Sequence, residues 1–110
     1  MALTKSITLP NGAAGDYIRL GAYTWDRNTR EASAHLHLYL SAAQAAAAPS
    51  NPLCLLAKLR LTGAKFDTYL SHAALEGTTV AAQIYAAAKL EPLNPGAGLT
   101  SLDLSDASDT

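Results

Sequence analysis

The sequence predicts a mainly β fold, a β-sandwich or open barrel with one α-helix near the C-terminus. Two observations support this prediction. Short runs in which apolar and polar residues alternate recur along the chain, and the first of them ends at the turn residues Pro10, Asn11 and Gly12. Only residues 78–92 show the longer apolar spacing and the terminal proline that are typical of a helix. Five strands with non-local connections and one helix fit a small layered β domain.

The first predicted strand covers residues 3–9, and two further alternating runs, 17–25 and 30–40, predict an antiparallel hairpin. Directly opposed residues lie on the same face of a sheet, so the apolar positions fix the register. That register pairs Ile18 with Leu38 and Leu20 with Leu36. It leaves residues 27–29 as a three-residue loop, in which Asn28 can adopt the left-handed conformation.

The same register collects large polar and aromatic side chains on the outer face of the hairpin, with open space at Gly21 beside His35. These side chains belong to Tyr17, Arg19, Tyr23, Trp25, His35, His37 and Tyr39. Tyr, Trp and Arg dominate the binding energy of protein interfaces, and a small domain seldom exposes so many large side chains to water. We therefore predict that this outer face is a protein interface.

The alanine-rich segment 41–52 predicts a short helical turn that is capped by Ser41, stopped by Pro49 and crosses between two sheets. Residues 53–63 predict a strand. Its leucines on one face are expected to be Leu53, Leu55, Leu59 and Leu61. Residues 64–77 predict irregular or briefly helical structure.

Thr78 is the expected cap of the helix over residues 78–92. Residues 99–106 predict a last strand in which Leu102 and Leu104 face inward, and the acidic end, 105–110, predicts a short flexible tail. Residues 1–110 are accordingly expected to form a single domain.

Composition restricts the classes of function. The 110 residues carry a net charge of −1, which gives no reason to expect nucleic acid or an anionic membrane as a partner. No apolar run approaches the roughly 20 residues that span a bilayer, and the N-terminus lacks the pattern of a signal peptide. Only 15% of the residues are charged, which suggests that much of the surface faces another protein.

Residues that could carry out chemistry do not form a recognisable site. His35 and His37 lie two residues apart and would share a strand face, but a metal site needs a third ligand, and neither Cys54 nor His72 lies at a diagnostic spacing. Cys54 lies in an apolar strand, where a buried and unreactive thiol is expected. No nucleophile elbow, phosphate loop or dinucleotide fingerprint occurs. We therefore expect no metal, no cofactor and no enzyme activity.

The layout of the chain resembles that of small structural proteins of tailed bacteriophages. The resemblance rests on the opening MALTKSITLPNGAAGDYIRLGAY, the aromatic hairpin, the alanine-rich LYLSAAQAAAA, the strand that follows, and YAAAKLEP before an acidic end. It implies a non-enzymatic virion component that is made in the host cytoplasm and built into a symmetric assembly, and it therefore implies a homo-oligomer. Such proteins are capsid decoration (cement) subunits or tail, baseplate and fibre-attachment subunits, and their partners are major capsid, tail or baseplate proteins.

Two other classes of function stay open. A cellular binding module could use the same aromatic face, in which Tyr17, Tyr23, Trp25 and Arg19 would suit a carbohydrate or a peptide. A small enzyme is the other alternative. The sequence does not distinguish a position on the phage head from one on the tail.

Overall fold

The computed structural model describes residues 2–96 and 98–109, which form one six-stranded antiparallel sheet and three short helices. The elements are β1 (Leu3–Thr8), β2 (Ala14–Asp26), β3 (Glu31–Tyr39), α1 (Ala42–Ala47), β4 (Cys54–Thr62), α2 (Ala64–Leu70), α3 (Val80–Leu90), β5 (Asn94–Pro95) and β6 (Ser108–Asp109). The order across the sheet is β5-β4-β3-β2-β1-β6. The prediction of a mainly β fold is confirmed, whereas the sandwich or barrel form is not. The structure contains three short helices, where one helix near the C-terminus was expected.

The core contains residues of the sheet together with residues of α2 and α3. Leu36 and Leu38 of β3 are fully buried, together with Phe66 and Leu70 of α2 and Ile84 of α3. The Thr79 Oγ1 accepts a hydrogen bond from the Ala82 backbone N–H at 3.1 Å, so Thr79 caps α3 rather than the predicted Thr78.

The hairpin of β2 and β3 has the predicted register only up to Leu20. Tyr17 lies opposite Tyr39, Arg19 opposite His37 and Leu20 opposite Leu36, as predicted. A β-bulge at Gly21 then adds one residue to β2, so Ala22 lies opposite His35 and Tyr23 opposite Ala34. The predicted register beyond Leu20 is therefore wrong. The loop runs over residues 27–30, and its left-handed residue is Arg30, with a φ of 55°, rather than Asn28.

The imidazole of His37 occupies the space beside Gly21. A Cβ atom added at Gly21 would lie 2.4 Å from His37 Cε1, which no side chain could tolerate without moving the ring. The open space predicted beside His35 is therefore filled, by a different histidine. Gly21 permits both the close approach of the His37 ring and the bulge.

A second bulge interrupts β4, on the other side of β3. Leu36 lies opposite Ala57 but His37 lies opposite Leu55, so Leu56 is the extra residue. Leu59 and Leu61 are buried on the core face, whereas Leu53 and Leu55 lie on the opposite face, and Leu53 is exposed. The prediction that all four of these leucines share one face is wrong.

The predicted cap of α1 is confirmed, because Ser41 Oγ accepts a hydrogen bond from the Gln44 backbone N–H at 3.2 Å. The segment does not cross to another sheet, however. It joins β3 to β4, which are neighbours in the same sheet.

The C-terminal segment also differs from the prediction. Residues 99–106 form no strand, although Leu104 is buried as expected. Ser108 and Asp109 instead form β6 and pair with Thr4 and Leu3 of β1. Thr110, the end of the predicted flexible tail, lies outside the described residues.

Candidate protein interface

The bulge at Gly21 divides the predicted interface between the two faces of the sheet. Before the bulge, Tyr17 and Arg19 lie with their partners Tyr39 and His37 on the face opposite the core, and His35 shares that face. After the bulge, Tyr23 lies opposite Ala34 and Trp25 opposite Ala32, and both alanines are buried on the core face. The structure therefore does not bring the predicted residues together in one patch.

Tyr39 is buried and belongs to the structural framework. Its hydroxyl donates a hydrogen bond to the backbone carbonyl of Pro49 at 2.5 Å, and its ring makes an edge-to-face contact with Tyr17 at a centroid distance of 6.5 Å. The segment between β3 and β4 thus covers this end of the outer face. Tyr39 is not exposed for contact with a partner.

Arg19 and His37 border a shallow pocket of about 220 Å³ that also includes Pro49 and Pro52. Arg19 is exposed and His37 is half-buried. Burial lowers the pKa of His37, and the nearby charge of His35 lowers it further. His37 is therefore harder to protonate than an exposed histidine.

Trp25 connects the hairpin to the core. Its ring stacks on Phe66 of α2 at a centroid distance of 6.4 Å, and the Arg27 guanidinium carbon lies 5.2 Å from the centre of the Trp25 ring. Arg27 Nη1 is in turn 2.8 Å from His72 Nε2. Trp25 is still 37% exposed, so it both covers Phe66 and contributes to the surface.

Tyr23 is 43% exposed and lies on the same face as Trp25. Both belong to the end of the hairpin, because β1 pairs with β2 only as far as Ile18. We call residues Ala22–Asp26 of β2 with the facing residues Glu31–His35 of β3 the hairpin end. Its core face presents the two aromatic rings, and its outer face presents Thr24, Ser33 and Glu31.

Two contacts near this region have no signal in the sequence. Arg27 lies in the predicted loop, and nothing in the neighbouring sequence predicts that it covers the Trp25 ring. The Tyr85 hydroxyl of α3 accepts a hydrogen bond from the Leu20 backbone N–H at 2.6 Å, across 65 residues of sequence. Tyr85 is buried, and burial raises its pKa.

Among residues 2–96 and 98–109, no three His, Cys, Asp or Glu side chains are grouped closely enough to hold a metal ion. Burial raises the pKa of the half-buried Cys54 thiol, which makes it a poor nucleophile. No helix in the described part of the chain has both the length and the apolar character needed to cross a bilayer.

We expect the His35–His37 pair to bind no structural metal, since His37 packs against Gly21 and no third ligand is near in the described residues. Purified protein should contain far less than one equivalent of zinc or copper by elemental analysis, and a chelator should leave the melting temperature unchanged. Metal near one equivalent, lost together with stability on chelation, would contradict this prediction.

No protein-family model matches the chain, and neither the curated proteins nor the solved structures include a significant match.

Proposed function

We propose that this protein is a non-enzymatic structural subunit of a bacteriophage virion, a capsid decoration (cement) or tail/baseplate subunit, that docks into a symmetric assembly through the hairpin end. The observation that carries the docking proposal is the exposure of Tyr23 and Trp25 side by side, at 43% and 37%. The phage setting comes from the resemblance of the sequence layout. Major capsid, tail or baseplate proteins, or further copies of the chain, are the partners.

The physical argument rests on the kind of surface that these rings form. Tyrosine and tryptophan provide large contact areas with few rotatable bonds, so they lose little conformational entropy on binding. Trp25 is already held in place by Phe66 and Arg27, which lowers the cost of ordering it further. Arg27 adds a cation over the Trp25 ring, and arginine is enriched in interfaces.

A carbohydrate-binding module is the second candidate, and one observation favours it. An open pocket of about 440 Å³ lies at the hairpin end, lined by Trp25 and by polar side chains. The polar residues include Thr24, Asp26, Glu31 and Arg60. These polar groups could bind the hydroxyls of a sugar on the outer face, while the Trp25 ring lies on the core face and would not stack on that sugar. The ion pair of Arg60 with Glu31, at 3.4 Å, already uses two of these groups.

The proposed function predicts that Tyr23→Ser lowers the amount of subunit bound to particles by about tenfold or more, because a central aromatic anchor contributes at least about 2 kcal/mol to binding. Particles from cells producing the variant would be sedimented and their subunit content measured by quantitative mass spectrometry. Circular dichroism of the purified variant should show an unchanged fold, since Tyr23 is exposed and does not belong to the buried core.

Leu90→Ser is the matched control, because Leu90 is 73% exposed at the end of α3 and its loss should leave occupancy unchanged. Equal occupancy of the Tyr23→Ser variant and the original chain would contradict docking through the hairpin end. Absence of the original chain from purified particles would contradict the virion role. Glycan binding that is lost in Arg60→Ala would then favour the carbohydrate-binding module.

A further inference from the structure

The outer edge of β2 carries no strand partner along the hairpin end. Pairing between β1 and β2 stops at Ile18, and the sheet order places no other described strand beside β2 on that side. We call the outer backbone edge of Ala22–Asp26 the free edge. A row of unpaired backbone donors and acceptors is a template for another strand.

The structure also indicates which backbone groups face outward at this edge. The Leu20 N–H points away from β3, because it donates to the Tyr85 hydroxyl. Backbone direction alternates along a strand, and the bulge at Gly21 shifts that alternation by one residue. The outward N–H and C=O groups of the free edge are therefore those of Tyr23 and Trp25.

The other edges of the sheet are protected in ways that the free edge is not. The outermost strands β5 and β6 are two residues long, and they contain Pro95 and Asp109. Short edge strands, proline and charge all discourage strand addition. The free edge instead contains Tyr23, Thr24 and Trp25, which are among the residue types that favour strands most. Its only charged residue is the terminal Asp26.

We propose that the free edge pairs antiparallel with the same edge of a second copy, so that two sheets join across a twofold axis at Thr24. Thr24 is the centre of the free edge, and pairing about it uses the whole segment between the bulge and the end of β2. The outward groups of Tyr23 would bond to those of Trp25 in the second copy. Asp26 would lie opposite Ala22, so no like charges meet.

This arrangement also pairs the exposed aromatic rings. A twofold axis perpendicular to the sheet keeps the core faces of both copies on the same side, so Tyr23 of each copy lies beside Trp25 of the other. The inference rests on the proposed function in that it names the partner of the hairpin end as a second copy of this chain. Its test uses purified protein alone.

The experiment places a charge at the twofold axis. Thr24→Lys and Thr24→Glu each set like charges opposite one another, and each should raise the dimer dissociation constant about tenfold or more in analytical ultracentrifugation. An equimolar mixture of the two variants should restore the dimer, because Lys then faces Glu. Ser33→Lys is the matched control. Ser33 contacts Thr24 at 3.3 Å between hydroxyl oxygens but lies on β3, away from the axis, so the dimer should persist.

Trp25 supplies an independent measurement, since it is the only tryptophan. Its fluorescence should become less accessible to acrylamide as the concentration of the original chain rises, and this change should be absent in Thr24→Lys. The inference would be overturned if the unsubstituted chain is monomeric up to about 1 mM. It would also be overturned if both charged variants still form the dimer. A monomeric chain that still binds particles would contradict the dimer but support the proposed function. A dimer that is absent from particles would support the pairing of the free edges but contradict the proposed function.

Discussion

Leu38→Ala is expected to lower the free energy of unfolding by about 2–5 kcal/mol, which is the usual cost of truncating a buried leucine. Leu38 has no solvent exposure and lies between Ile18 of β2 and Cys54 of β4. Its removal would leave a cavity in the centre of the sheet that the rigid strands on both sides cannot close. Urea denaturation, with equal m values for both proteins, would measure the loss.

His37→Ala is the control for this prediction, because His37 directly precedes Leu38 in β3 and its side chain lies on the other face. It is half-buried against Gly21, so its removal should cost less than about 1 kcal/mol. Equal losses in the two variants would mean that both faces of β3 are buried to the same extent, which contradicts the described structure.

Trp25→Ala is expected to destabilise the isolated protein by about 2–3 kcal/mol, because the ring covers Phe66 and makes a cation–π contact with the Arg27 guanidinium. The alternation of the sequence predicts instead that Trp25 points away from the core and contributes only to binding. Thermal unfolding followed by circular dichroism separates these expectations without relying on tryptophan fluorescence.

Two further variants make this result specific to the Trp25 contact. Trp25→Phe keeps an aromatic ring over Phe66 and should recover more than half of the lost stability. Tyr23→Ala, on the same face but more exposed, should cost less than about 1 kcal/mol. Unchanged stability in Trp25→Ala would show that the stacking on Phe66 is not an energetic contact.

The sequence predicted the β-rich fold, the first half of the hairpin register and the Ser41 cap, because each depends on local patterns. Alternation identifies which face of a strand is buried only while the ladder is regular. The bulges at Gly21 and Leu56 each add a residue that no local signal demands. After the Gly21 bulge, the residues of β2 lie on the face opposite to the predicted one. The Leu56 bulge places Leu53 and Leu55 on the face opposite to Leu59 and Leu61, with which they were predicted to share a face.

The candidate interface was predictable in its residue types but not in its arrangement. Exposed Tyr23 and Trp25 follow from the aromatic hairpin, whereas the burial of Tyr39 depends on Pro49, which lies on a separate segment. The stacking of Trp25 on Phe66 joins residues of β2 and α2 that are distant in sequence. Such contacts depend on tertiary packing, which periodicity does not encode.

The bulge at Gly21 has a consequence for how the gene can vary. Removing the single codon for Gly21 would restore strict alternation along β2 and leave Tyr23 and Trp25 on the core face, because Ala22 would follow Leu20 directly and still lie opposite His35. Phe66 would keep its cover, and the change would be local to the space now filled by the His37 ring. In a strand without an extra residue, the loss of one residue moves every following side chain to the other face. A one-codon deletion should therefore be tolerated better at Gly21 than at Ala34 of β3, where the ladder contains no extra residue.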